Sequence, residues 1–297
     1  MSIFEKLQGT GVALVTPFNQ DGSIDFDSYK KLIDYVIDGG CNYVVTLGTT
    51  GEAPVLDKDE KIKIINATYE YVDKRVPVVV GVGGNHTNSV LNDLGQLPLE
   101  SAIAILSVSP YYSKPSQEGI YLHYKAVAEV SPKPVILYNV PGRTGRDVSV
   151  DTVVRLAREV PKIIGIKDAS GDVGTGIRLL KYCPDSFMII SGDDPLAVSQ
   201  IACGMSGVIS VAANAFPHRF SEMITAALDN NFQKANKINA DLLEAYDLMF
   251  CENNPAGIKA FLSELNLMDN HLRLPGVPLS ASYHQKVKSF LAGNKSI

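Results

Sequence analysis

The sequence predicts an α/β protein: a (β/α)8 TIM barrel over residues 1–230 with a C-terminal helical domain over residues 231–297. Three observations carry this. Short apolar, β-branched runs alternate with amphipathic stretches, the pattern of βα units around a parallel sheet. Eight such runs are complete by about residue 230, and eight βα units close into a barrel. The remaining chain shows helical spacing and no further strand pattern.

The first run, Val12–Val15, is stopped by Thr16-Pro17. A helix follows from about Asp25 to Ile37, because Tyr29, Leu32, Ile33 and Val36 fall at helical spacing and Gly39-Gly40 ends it. Tyr43–Leu47 is the second strand, followed by the turn Gly48-Thr49-Thr50-Gly51-Glu52 and a helix from about Asp57 to Asp73. Val76–Val80 is the third, with a helix near Thr87–Leu97 after it. The fourth, Ile103–Val108, runs into Pro110-Tyr111-Tyr112. Ser116 caps the next helix, to Val130, with Glu118 in its first turn. The fifth strand, Val135–Tyr138, runs into Asn139–Gly145, and a helix near Val150–Glu159 precedes the sixth, Ile163–Ile166, which ends in Lys167. Phe187–Ser191 and Gly207–Val211 are the last two strands. Beyond them Phe232–Phe250, Asn254–Leu265 and Ser282–Leu291 read as helices, and Leu274–Pro278 as a turn between two of them.

Composition narrows the function classes. In 297 residues, 45% are hydrophobic and 20% charged, which excludes a disordered chain. The formal charge of −5, with no basic block, argues against nucleic acid as a partner. No run approaches the roughly 18 apolar residues of a membrane span, and Met1–Lys6 leads into no signal-peptide core, so a cytoplasmic location is expected. Cys41, Cys183, Cys203 and Cys251 lack CxxC spacing, and the five histidines lack HxH or HExxH pairing, so neither disulfides nor a bound metal are expected. No cofactor motif stands out: Gly81-Val82-Gly83-Gly84 reads as a tight barrel turn rather than a phosphate cradle, and Asp193-Asp194 as loop hydrogen bonding and capping.

Lys167 is the residue of greatest chemical interest. It ends a run that reads as a strand buried on both faces, and lysine is almost never buried without a partner. Desolvation disfavours the ammonium and favours the free amine, which can attack a carbonyl. A lysine whose stem merely covers apolar surface is the bland alternative. Reactive residues of a barrel stand at the C-terminal ends of strands. Thr49-Thr50, Tyr111-Tyr112, Tyr138 with Arg143 beyond it, and Lys167 all fall there. Tyrosine and threonine hydroxyls can pass protons, and arginine can grip a carboxylate bidentately.

The ordered motifs Gly48-Thr49-Thr50-Gly51-Glu52, Pro110-Tyr111-Tyr112, Tyr138–Gly145 and Gly165-Ile166-Lys167-Asp168-Ala169 resemble the dihydrodipicolinate synthase family, also called 4-hydroxy-tetrahydrodipicolinate synthase. Ser191–Asp194, Gly207–Ser210 and Leu272–Pro275 extend the resemblance over essentially the whole chain. It implies a lyase of the class I aldolase kind, needing no cofactor, in which Lys167 forms a Schiff base with pyruvate. The enamine then adds to L-aspartate 4-semialdehyde, on the route to diaminopimelate and lysine. It further implies a proton relay of Tyr138, Thr49 and Tyr112, with Tyr112 reaching a neighbouring subunit of a homotetramer built as a dimer of dimers. Thr50 and the backbone at Ile209 would hold pyruvate, and Arg143 the carboxylate of the semialdehyde.

A sibling pyruvate aldolase, such as an N-acetylneuraminate lyase or a keto-deoxy sugar acid aldolase, is the alternative, disfavoured by Thr49 and Arg143. A barrel that only senses pyruvate is disfavoured by the intact residue set. Two departures from the family pattern stand out. Lys167 is followed by Asp168 where glutamate is usual. At the allosteric lysine site of some members, the usual serine, two histidines and glutamate are Ala53, Lys58, Lys61 and Ser89, while Asn85 and Tyr111 remain. Two added ammoniums and a lost acid oppose a cationic ligand, so weak or absent lysine feedback is expected.

Overall fold

The structure, a computed structural model, describes residues 2–294. Met1 and residues 295–297, the latter in the stretch read above as a C-terminal helical domain, lie outside the described residues. Eight parallel strands, β1 (Gly9–Ala13), β2 (Tyr43–Thr46), β3 (Val78–Gly81), β4 (Ala104–Val108), β5 (Val135–Asn139), β6 (Ile163–Asp168), β7 (Met188–Ser191) and β8 (Gly207–Ser210), close in sequence order into a barrel, with β8 pairing β1. The helices are α1 (Ile3–Lys6), α2 (Phe26–Asp38), α3 (Lys58–Val72), α4 (Thr87–Leu94), α5 (Gln117–Val130), α6 (Pro141–Thr144), α7 (Val150–Glu159), α8 (Val173–Tyr182), α9 (Ala197–Ala202), α10 (Pro217–Leu228), α11 (Phe232–Phe250), α12 (Ala256–Glu264) and α13 (Ala281–Gly293).

Both faces of the strands are covered, which is why they read as continuous apolar runs. One cluster fills the barrel, with Ala13, Val45, Val79, Leu106, Ile136 and Ile190 among its members. A second, larger one lies between the strands and the helices and continues into α11–α13. There Phe216, Phe261 and Phe290 meet edge to face, with centroids 5.6, 6.3 and 5.9 Å apart. The C-terminal helices therefore pack on the barrel through a shared core.

The local signals behave as expected at most ends. Asp25 caps α2 by accepting from the Ser28 N–H, and Tyr29, Leu32, Ile33 and Val36 form its buried stripe. The Ser116 hydroxyl caps α5 by accepting from Gly119 N–H at 3.2 Å. Where bounds differ, the partners explain it. The first strand is Gly9–Ala13 rather than Val12–Val15: Gly9 pairs with Gly207 and Gly11 with Tyr43, so neighbours on both sides draw in residues of poor strand propensity. The helix at Thr87 stops at Leu94 before Gly95, three residues short of Leu97. The two four-residue helices α1 and α6 are too short to show periodicity; α6 opens on Pro141 and closes on Gly145.

β6 contains one irregularity. Val135 of β5 lies opposite Ile163, but Ile136 lies opposite Gly165, so Ile164 is an extra residue. Beyond it Tyr138 faces Lys167 and Asn139 faces Asp168.

Past β7, Asp194 is buried, and its Oδ2 accepts from the N–H groups of Val211 and Ala212 at 3.1 and 2.8 Å, capping the turn after β8. Burial pushes its carboxyl up from the usual 3.8 to about 6, against the pull of those hydrogen bonds. No helix among the described residues is long and apolar enough to cross a membrane.

Two outcomes follow from this packing. A Cβ on Gly257 would overlap the backbone of Met249 on the neighbouring helix, so Gly257→Ala must push α12 off α11 and should lose about 2 kcal/mol in urea unfolding; an unchanged midpoint would contradict the close contact. The raised Asp194 carboxyl stabilises the fold below its unfolded value of 3.8, and that stabilisation is lost as pH rises through about 6. Asp194→Asn should therefore gain on the wild type by up to about 1.4 kcal/mol per pH unit across that window, read from urea unfolding at successive pH values.

Candidate active site

At the C-terminal mouth of the barrel lies a cavity of about 620 Å³, lined among others by Thr49, Thr50, Tyr138, Arg143, Lys167 and Asp194. Strand alternation aims these side chains. Tyr138 and Lys167 are directly opposed on β5 and β6, so they point to the same face, and their successors Asn139 and Asp168 to the other. Lys167 is only 5% exposed, and its Nζ stands 4.4 Å from the centroid of the Tyr138 ring. Its stem lies along Gly192 at the end of β7, where any Cβ would come within 2.9 Å of the lysine Cε. A glycine is needed there to make room for the amine.

The opposite face holds the two strands in step. Asn139 Nδ2 donates to Asp168 Oδ1 at 2.9 Å and to Asp147 Oδ1 at 2.7 Å, while its Oδ1 accepts from Val148 N–H. Ser170 Oγ donates to the other oxygen of Asp168. Burial pushes the Asp168 carboxyl up, and these donors oppose it. Asp168 thus anchors β6 from behind and does not line the cavity.

Thr49 and Thr50 sit on the tight turn after β2. Gly51 O accepts from Thr16 Oγ1 at 2.6 Å, and Thr50 Oγ1 accepts from Asn254 Nδ2 at 3.0 Å. Arg143, exposed on α6 and facing the cavity, donates through Nη2 to Asn253 Oδ1 at 2.9 Å and Asn254 O at 3.2 Å. The guanidinium is therefore held at the rim with other donors still available.

Two predicted residues are not on the cavity wall. Ile209 is buried in the barrel's inner cluster. Tyr112 is 89% exposed, with its backbone in the left-handed region at φ 68°, and stands outside the cavity.

Sequence reading missed Asn253, Asn254 and Tyr246, all of which line the cavity. Asn254 lies 204 residues from the threonine it contacts, and Asn-Asn-Pro reads only as the start of a helix. A second cavity, of about 440 Å³, shares Thr49, Tyr138 and Arg143 with the first and is also lined by Ala53, Lys61 and Tyr111. Lys58, Asn85 and Ser89 do not line it; Ser89 Oγ instead lies 2.7 Å from His86 Nδ1.

Residues 6–293 match the model of the Dihydrodipicolinate synthetase family. A protein of Cytophaga hutchinsonii named 4-hydroxy-tetrahydrodipicolinate synthase is 46% identical over 280 residues, covering 94% of each chain. One of the same name from Neisseria gonorrhoeae is 47% identical over 285 residues, covering 96% of this chain and 98% of that one. The solved structure of the chloride-inhibited dihydrodipicolinate synthase from Acinetobacter baumannii, complexed with pyruvate, superposes with a TM-score of 0.94 at 42% identity, covering 98% of this chain and 100% of that one. With a barrel closed in the same way and a buried lysine at the mouth of its sixth strand, the chain belongs to the dihydrodipicolinate synthetase family.

Proposed function

We propose that the chain is a 4-hydroxy-tetrahydrodipicolinate synthase, a lyase that joins pyruvate to L-aspartate 4-semialdehyde through a Schiff base on Lys167. The observation that carries this reading is the pairing of a buried amine with a tyrosine. Two lysines are buried among the described residues, and while Lys259 is paired with a carboxylate, Lys167 faces the cavity beside Tyr138.

The amine of Lys167 adds to the ketone carbon of pyruvate, giving a carbinolamine. Loss of water then leaves the imine, and loss of a methyl proton the enamine, whose carbon attacks the aldehyde. Each step moves a proton, and Tyr138, whose ring stands beside the amine, gives and takes it. Thr49, on the same cavity wall, continues the path, and Tyr112 completes it from a neighbouring subunit, a role its exposure in the single chain supports. On this reading the chain works as a homotetramer, a dimer of dimers, in the cytoplasm. Thr50 holds pyruvate, helped by the backbone at Ile209, whose side chain is buried in the inner cluster, and Arg143 pairs with the carboxylate of the semialdehyde.

Borohydride reduction in the presence of pyruvate should leave one covalent adduct, on the peptide containing Lys167, and Lys167→Ala should show none. An unmodified Lys167 in the wild type would sink the mechanism, while adduct formation with turnover of N-acetylneuraminate in place of aspartate semialdehyde would reassign the substrate. L-Lysine at millimolar concentration should leave the steady-state rate nearly unchanged, since Lys61 adds an ammonium to the second cavity; strong inhibition below that range would refute this.

A further inference from the structure

Lys259, the other buried lysine, takes no part in the chemistry above. It lies on α12, is fully buried, and its Nζ stands 2.5 Å from Glu52 Oε1. It also donates to His271 O at 2.8 Å and lies 4.3 Å from the centroid of the Phe18 ring. Burial holds its ammonium below the ordinary range, at about 8, while Glu52 draws it up and Arg273 presses it down.

A buried ion pair is poor value for stability alone, because desolvation offsets most of the attraction. Its geometric effect is clearer. Glu52 follows Thr50 by two residues and holds a left-handed backbone, φ 53°, a conformation that persists in a glutamate only when the surroundings impose it. Its second oxygen accepts from the Arg273 N–H at 3.3 Å, and the Arg273 guanidinium donates to Val55 O at 3.0 Å and pairs with Glu60. With Asn254 holding Thr50, the turn carrying Thr49 and Thr50 is gripped from the C-terminal segment at Thr50, Glu52 and Val55.

We propose that Lys259 is a positioning residue for the Lys167 site: its ion pair with Glu52 sets the Thr49–Thr50 turn at the height where pyruvate is held and protons are passed. The inference rests on the roles given above to Thr49 and Thr50. Without Lys259 the Glu52 carboxylate is buried and unpaired, a state relieved by taking up a proton or by swinging outward, and either loosens the turn. Arg143 is held by Asn253 and Asn254 instead, so the grip on the second substrate should survive.

The test compares wild type, Lys259→Met and the double variant Glu52→Gln/Lys259→Met, which leaves no unpaired charge. Folding is followed by circular dichroism, together with kcat and KM for both substrates and the rate of borohydride-trapped pyruvate adduct. Lys259→Met should lose on the order of 100-fold in kcat/KM for pyruvate and slow adduct formation in parallel, with KM for the semialdehyde unchanged. The double variant should recover part of this and remain below wild type. If Lys259→Met does not fold, the double variant carries the test by the same criteria. A folded variant with wild-type kcat/KM for pyruvate, or one in which KM for both substrates rises equally, would overturn the positioning role alone. Absence of any adduct on wild-type Lys167 would overturn the proposed function and this inference with it.

Discussion

The cavity depends on a shift of one residue in the sheet. Had β5 and β6 stayed in step from Val135 and Ile163, Tyr138 would face Ile166 and Lys167 would point outward, among the helices. The extra residue Ile164 reverses the parity of everything after it. Ile163 packs in the outer core, while Lys167, four residues on, reaches the inner face that the outer core never touches. Asn139 and Asp168 then lock the shifted register from behind. Burial of Asp168 is costly, as its raised carboxyl shows, and that cost is offset by donors on both of its oxygens.

A second constraint acts on the rim. Barrel strands are rigid, but the turn after β2 is a loop and needs external bracing to hold side chains to within about half an ångström. Here the bracing comes from the end of the chain: Asn254, Lys259 and Arg273 all reach back to residues 50–55. The helices beyond the barrel thus serve the site as well as the core. Gly257 lets α12 approach α11 closely enough to bring Asn254 and Lys259 to the mouth together.

The strands were legible because a sheet covered on both faces writes unbroken apolar runs into the chain, and the caps Asp25 and Ser116 were legible because they act within three residues. Most strand ends fell within two residues of the reading. Gly9–Gly11 escaped it because their place in β1 is dictated by β2 and β8, not by their own propensity. Among the residues at the mouth, those on strand ends or in the turns after them could be found from order and spacing alone. Asn253, Asn254 and Tyr246 could not: Asn254 meets Thr50 across 204 residues and Asn253 meets Arg143 across 110, and nothing local marks any of the three as lining the cavity.

By itself, then, the sequence determined the alternation of strand and helix, the eightfold count that closes a barrel, and the identity of the residues standing at the strand ends, because each of these follows from short-range pattern. Which face Lys167 takes was decided only by the tertiary structure: both faces of β6 are apolar, so periodicity is blind to the bulge at Ile164, and only pairing against β5 sets the parity. The height of the Thr49–Thr50 turn was decided in the same way, by an ion pair between residues 52 and 259 that exists only once the chain has folded.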